Sequence, residues 1–127
     1  MRQSYLQKSK ILTSQPAGLA ILHSQGQWMF PAHLQLLNQK LLQVASGKIK
    51  RLIINMPPQH GKSEFTSKYF PVWYLATHPD KKVILCSYET NYAISWGRKA
   101  RDVFDECVPE YFGTKRNMRV NIQGNWE

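Results

Sequence analysis

Cysteine is scarce in this chain. It has only Cys86 and Cys107, with no Cys-x-x-Cys pair, so neither a zinc site nor a disulfide framework is indicated. Cys86 lies in an apolar run and Cys107 near the end of a helical pattern, which reads as two buried free thiols in a reducing cytoplasm. No segment approaches the apolar length needed to span a membrane. Met1 to Lys10 is polar with no apolar core after it, so no signal peptide is expected. Internal repeats and low-complexity tracts are absent. Acidic residues are also few: eight Asp and Glu face seventeen Lys and Arg, a formal net charge of +9. That excess favours polyanionic partners such as nucleic acid, nucleotide or an anionic surface. The bases form small groups at Lys48/Lys50/Arg51, Arg98/Lys99/Arg101 and Lys115/Arg116/Arg119. Each group also reads simply as a solvated basic surface. Hydrophobic residues make up 43% of the 127, enough for one core but not comfortably for two.

The most informative stretch is Leu52-Ile53-Ile54-Asn55-Met56-Pro57-Pro58-Gln59-His60-Gly61-Lys62-Ser63. A short apolar run leads into a tight loop ending in Gly-Lys-Ser, and a helical pattern follows. This is the order of a phosphate-binding loop. Gly61 lacks a Cβ, which lets backbone N–H groups close around a phosphate. A helix beginning near Ser63 directs its positive dipole end to the same place. Lys62 supplies a mobile cation for the β- and γ-phosphates, and the Ser63 hydroxyl is a hard ligand suited to Mg²⁺. His60 and Gly61 lend backbone donors, and Gln59 belongs to the same candidate binding set. The strict pattern has Gly where this chain has Met56, and Pro57 and Pro58 carry no N–H. A bare Gly-Lys-Ser arises by chance in roughly one in twenty chains of this size. The apolar run and the Met-Pro-Pro breaker make the assignment more specific than that.

Along the chain, residues 1–29 read as a loosely attached N-terminal arm, with short helical pieces at Ile11-Leu12 and Leu19 to Leu22. A helix starting at Pro31 runs to about Ala45, with Leu34, Leu37, Leu41 and Val44 at helical spacing and Gly47 ending it. Arg51 to Asn55 reads as a first strand. Helical pattern resumes at Ser63 and is interrupted at Pro71, with Phe65, Tyr69, Phe70, Trp73 and Tyr74 around that proline as core aromatics. Val83 to Tyr88 reads as a second strand, buried on both faces. Thr90 or Asn91 caps a helix to about Cys107, its stripe being Ala93, Trp96, Ala100, Val103/Phe104 and Cys107. Arg119 to Gln123 suggests a short strand. The β-α-β-α order predicts an α/β fold with a parallel sheet.

The run RLIINMPPQHGKSEFTSKYFPVWYLATHPDKKVILCSYETNYAISWGRKARDVF closely resembles the ATPase domain of the large terminase subunit of tailed bacteriophages, the motor that pumps viral DNA into the empty capsid. Upstream, Phe30-Pro31-Ala32-His33-Leu34-Gln35 is similar to the same family. The resemblance covers roughly residues 28–107 well and 108–127 loosely. It implies a partial P-loop NTPase of the RecA-like, additional-strand class with a parallel sheet core, occupying residues 30–127. It implies ATP and Mg²⁺ as cofactors. Double-stranded DNA, the small terminase subunit and the portal would be its partners, and the full-length protein would form a homo-oligomeric ring. The location implied is the bacterial host cytoplasm, transiently at the procapsid portal. The family tolerates a non-Gly residue at Met56. It suggests that Gln35 reads adenine through its amide, although Gln35 also reads as an exposed polar residue.

Two departures limit what the resemblance implies for catalysis. The family often has Arg where this chain has Gln59, so the charge-stabilising arginine is unassigned, with Arg98 and Arg101 as weak candidates. No apolar run ends in Asp-Glu, so the second magnesium anchor and the base for water are missing. The chain therefore reads as the N-terminal piece of a longer protein, with negligible ATP turnover by itself. Two other readings stay open: a helicase-like P-loop ATPase fragment, and a basic DNA-binding module without nucleotide chemistry. Under the terminase reading, duplex binding is salt-sensitive and indifferent to sequence.

Overall fold

The computed structural model describes residues 10–113 and the backbone of 121–122 and 125–126. The expected parallel sheet is not found among the described residues. The described residues form an all-helical domain: α1 (Pro16–His23), α2 (Ala32–Ala45), a π-helical segment (Glu64–Tyr69), α3 (Phe70–Thr77) and α4 (Thr90–Tyr111). A short helical turn at 10–13 precedes α1. The ladder among the described residues is a two-residue antiparallel pair, Asn121–Ile122 (β1) with Asn125–Trp126 (β2). It falls within or beside the expected strand at Arg119 to Gln123, whose other positions lie outside the described residues.

The RecA-like α/β expectation fails at Arg51 to Asn55 and at Val83 to Tyr88. Both stretches are irregular and join no ladder among the described residues. The first keeps its period-two alternation: Leu52, Ile54 and Met56 pack partly buried against the core, while Ile53 is 86% exposed. The second is not buried on either face. Ile84 is 86% exposed, Val83 and Tyr88 are exposed, and only Leu85 is half-buried. A strand buried on both faces needs neighbouring strands and a covering layer on each side. Neither surrounds residues 83–88, because the helices pack on one another instead. Cys86, expected inside, is consequently exposed.

The helices form for reasons visible locally. In α2, Leu34, Leu37 and Leu41 recur at helical spacing and are each 4% exposed, and Pro31 sits at its N-cap. Helix α4 buries Trp96, Ala100, Val103, Phe104, Cys107 and Val108; this is the expected stripe from Trp96 on with Val108 added, while Ala93 is half-buried. It runs through the exposed Pro109 to Tyr111. Pro71 does not break the helical run from Lys62. The π-helical turn comes immediately before it. In a regular α-helix the proline ring would meet the carbonyl four residues back, and a π turn relieves that crowding while placing Pro71 in the first turn of α3.

Residues 16–23 are the largest departure from a loosely attached arm. Ala17, Leu19 and Ala20 in α1 are fully buried. Gly18 lies so close to the preceding turn that a Cβ there would fall 1.5 Å from the Leu12 carbonyl oxygen. The buried Asn38 of α2 accepts a hydrogen bond from the Ala17 N–H at 3.2 Å and donates to Gln15 Oε1 at 2.9 Å. It thereby satisfies one of the N–H groups that a helix start leaves without a partner. Trp73 Nε1 donates to the Thr13 carbonyl at 2.9 Å. His23 bridges two elements: its Nδ1 is 2.9 Å from the Tyr69 hydroxyl, and its Nε2 is 3.0 Å from Glu106 Oε2. Phe65 and Val72 complete the core at 0% exposure. Truncating Phe65 to Ala should cost about 3–5 kcal/mol.

The two thiols should differ sharply. Burial, with Glu106 and Glu110 nearby, pushes the Cys107 thiol up to about 11, and burial also raises the Tyr69 hydroxyl. Both groups are held neutral in the fold. The contribution of Cys107 is intact below the ordinary thiol value of 9.0 and is lost as pH rises through about 11. We expect Cys86 to react with a disulfide reagent in the native protein and Cys107 only in denaturant. We also expect the melting temperature to fall between pH 9 and 11. Two thiols reacting at one rate in the native state would contradict the packing around Cys107.

Candidate functional site

The loop from Pro58 to Ser63 is shaped by two residues in the left-handed region. Gln59 has φ 63° and Gly61 has φ 81°. The first is unusual for a residue with a side chain; the second is the conformation glycine adopts at no steric cost. Helical hydrogen bonding begins at once, as the Phe65 N–H donates to the Gly61 carbonyl at 3.0 Å. Lys62 and Ser63 are the first helical residues. The N–H groups of this first turn have no partner four residues back and point out of the helix start.

The loop is held from outside as well. His33 Nε2 donates to the His60 carbonyl at 3.1 Å, and the two imidazoles meet edge to face at 5.8 Å. His60 Nδ1 donates to the Pro58 carbonyl at 2.8 Å. Beneath Gly61 lie Leu34 and Trp28, 3.5 Å and 4.0 Å from where a Cβ would stand. The Trp28 ring stacks on Phe65 at 6.0 Å and meets Tyr69 edge-on at 5.2 Å. Its Nε1 is buried without a hydrogen-bond partner among the described residues.

Gly61, Lys62 and Ser63 are half-buried, and Gln59 and His60 are exposed. Among the described residues no carboxylate pairs with the Lys62 ammonium; Glu64 instead pairs with Lys68 one turn on. The Lys62 carbonyl accepts from the Thr66 hydroxyl at 2.7 Å. The loop therefore offers a cation, a hydroxyl and a helix start at one place. That set suits a phosphate oxygen and a magnesium ion bound to it. No group of three or more His, Cys, Asp or Glu side chains gathers among the described residues to hold a metal unaided.

Gln35 lies in the first turn of α2, the helix whose His33 touches the loop. Its Nε2 donates to the Phe30 carbonyl at 2.9 Å, so the amide is oriented and its oxygen faces away from that bond. Arg98 and Arg101 are elsewhere, on α4. Arg98 lines a shallow groove with Asn91, Ile94, Ser95, Lys99 and Asp102, and Arg101 Nε is 3.9 Å from Asp102 Oδ1. No hydrogen bond or ion pair joins either arginine to residues 59–63 among the described residues. His33 and Trp28 were not singled out by the sequence. A histidine two positions before Gln35 and a lone tryptophan carry no pattern that points across to residue 60 or 61.

The left-handed φ of Gly61 gives a stability test. Replacing Gly61 with Ala should destabilise the domain by about 1–2 kcal/mol, mainly through backbone strain, because Leu34 at 3.5 Å leaves ordinary contact room for a methyl group. Urea unfolding of the two proteins measures this, and a Gly61→Ala variant as stable as the wild type would contradict the loop geometry. Comparison of the chain with protein-family models, with curated proteins and with solved structures gives no match.

Proposed function

We propose that the chain binds ATP with magnesium through the Gln59–Ser63 loop, as the ATP-binding front part of a large terminase subunit that drives viral DNA into a procapsid. The observation that carries this reading is the loop itself: Gly61 at φ 81° opens directly into a helix whose first side chains are Lys62 and Ser63. Gly61 keeps the backbone open toward an anion. Lys62, unpaired by any described carboxylate, would meet the β- and γ-phosphates. Ser63 would contribute one oxygen to magnesium, the remaining ligands being phosphate oxygens and water. When bound, magnesium supplies charge neutralisation on the phosphates. The His33–His60 contact gives the loop carbonyl at residue 60 a donor on α2 and so helps to fix the loop.

The net charge of +9 supports duplex DNA as the second partner, through contacts to phosphates that carry no base information. Assembly with the small subunit and portal in a host cytoplasm belongs to the same reading. No helix among the described residues is long and apolar enough to cross a membrane. Arg98 and Arg101, remote from the loop in bonding, leave the catalytic arginine unassigned. One observation favours the basic DNA-binding module instead: among the described residues the apolar run before the loop joins no sheet, so the strand that usually anchors such a loop is not seen there.

Two measurements test the proposal. Titration of a fluorescent ATP analogue should show magnesium-dependent binding that weakens at least about tenfold in Lys62→Ala, the loss expected for one charge-assisted contact. Equal binding by both proteins would remove the phosphate loop and leave the DNA-binding module. Gln35→Ala should narrow the ratio of ATP to GTP affinity while leaving the dependence on Lys62 in place. An unchanged ratio would make Gln35 a surface residue whose amide only tethers the Phe30 carbonyl.

A further inference from the structure

Away from the loop, the start of α4 carries a row of aromatic rings beside cations. Tyr88, just ahead of the helix, is 92% exposed, and Tyr92 in its first turn is 44% exposed. Their ring centroids are 6.0 Å apart with planes inclined at 34°. Tyr92 meets Trp96 edge-on at 6.2 Å. The Lys99 ammonium sits 4.2 Å from the centre of the Trp96 ring. Steps of four residues along a helix stack side chains on one side, so Tyr92 and Trp96 form a line that Tyr88 extends, with Lys99 beside it. Arg98 and Lys99 also line the neighbouring groove with Asn91, Ser95 and Asp102.

Trp96 is buried, but the two tyrosines in front of it are not. Solvated phenol rings in line with a tryptophan that carries a lysine over its face match one ligand chemistry well. Every nucleobase has a π-face that stacks on an aromatic ring, and the backbone that carries it is anionic. Between Tyr88 and Arg101 the chain has three cations, Arg98, Lys99 and Arg101, against one acid, Glu89. Asp102, which faces the same groove, lies 3.9 Å from Arg101. A duplex hides its base faces within its own stack, so the phosphate-only contacts of the ATP-dependent reading make no use of these rings. Unpaired bases would.

We propose that the Tyr88–Tyr92–Trp96 row, with Lys99 and Arg98, is a binding surface for single-stranded nucleic acid, the tyrosine rings stacking on bases and the two cations meeting phosphates. The proposal is independent of nucleotide binding at Lys62.

Fluorescence anisotropy with a short thymidine oligonucleotide and an abasic oligonucleotide of the same length separates stacking from charge. Wild-type protein should prefer the thymidine strand by on the order of tenfold, the usual size of base–aromatic stacking. The double variant Tyr88→Ala/Tyr92→Ala should lose that preference and keep the salt-dependent residue of binding. Both tyrosines are exposed, so the variant's circular dichroism and melting should match the wild type. Lys62→Ala should keep the full preference, which distinguishes this surface from the ATP loop. Equal affinity of the wild type for the two strands, or a preference that survives the double variant, overturns the proposal. It is also overturned if sedimentation shows self-association that depends on the tyrosines while base preference is absent; the row would then face a second copy of the chain.

Discussion

Burial of α1 is the constraint on which the rest of the domain depends. This short helix touches α2, the π-helical segment, α3 and α4, and its residues 16–20 are buried throughout. Small side chains make that possible. Ala17, Gly18 and Ala20 allow backbones to approach, while Leu19 supplies the apolar volume. The polar groups brought inside are met by partners, Asn38 for the Ala17 N–H and His23 for the Tyr69 hydroxyl. Leaving such a group unpaired costs about 1–3 kcal/mol, a large fraction of the stability of a domain this size. Asn38 and His23 therefore decide where α1 docks, whereas the apolar contacts decide how firmly.

That docking reaches the candidate site through two routes. The turn after α1 leads to Trp28, which lies under Gly61 and against Phe65 and Tyr69. Helix α2, tied to α1 by Asn38, presents His33 to the carbonyl of His60. The loop is thus clamped by elements that precede it in the chain, and its conformation does not rest on a strand. The π-helical turn that follows serves the same end, because it carries the helical run from Lys62 past Pro71 and keeps the helix start continuous with the core.

Sequence pattern was informative wherever a residue's role depends on its near neighbours. The stripes of α2 and α4, the core aromatics Phe65, Tyr69 and Trp73, and the helical pieces around residues 11 and 19 follow from spacing alone. Arg51–Asn55 and Val83–Tyr88 were misread because a strand is defined by its partner. Their β-branched and apolar residues suit a sheet, but no local signal reports whether another backbone lies alongside. The burial expected for Cys86 failed with the sheet that was to cover it. Helix α1 was underestimated for the opposite reason: alanine and glycine give little hydrophobic signal, and their value lies in close approach, which only packing reveals.

By itself the sequence determined the position of the Gly-Lys-Ser loop, the helix after it, the scarcity of acidic groups and the order of the helices. These are properties of adjacent residues and of counted charge. Tertiary structure alone decided that the core is helical, that α1 is its centre, that His33 and Trp28 support the loop, and that Arg98 and Arg101 stand apart from it. It also placed Tyr88 and Tyr92 in solvent, in line with the Trp96 ring that Lys99 covers. Each of these depends on contacts between residues far apart in the chain, where many pairings suit the same local pattern and the packing of the whole domain selects one.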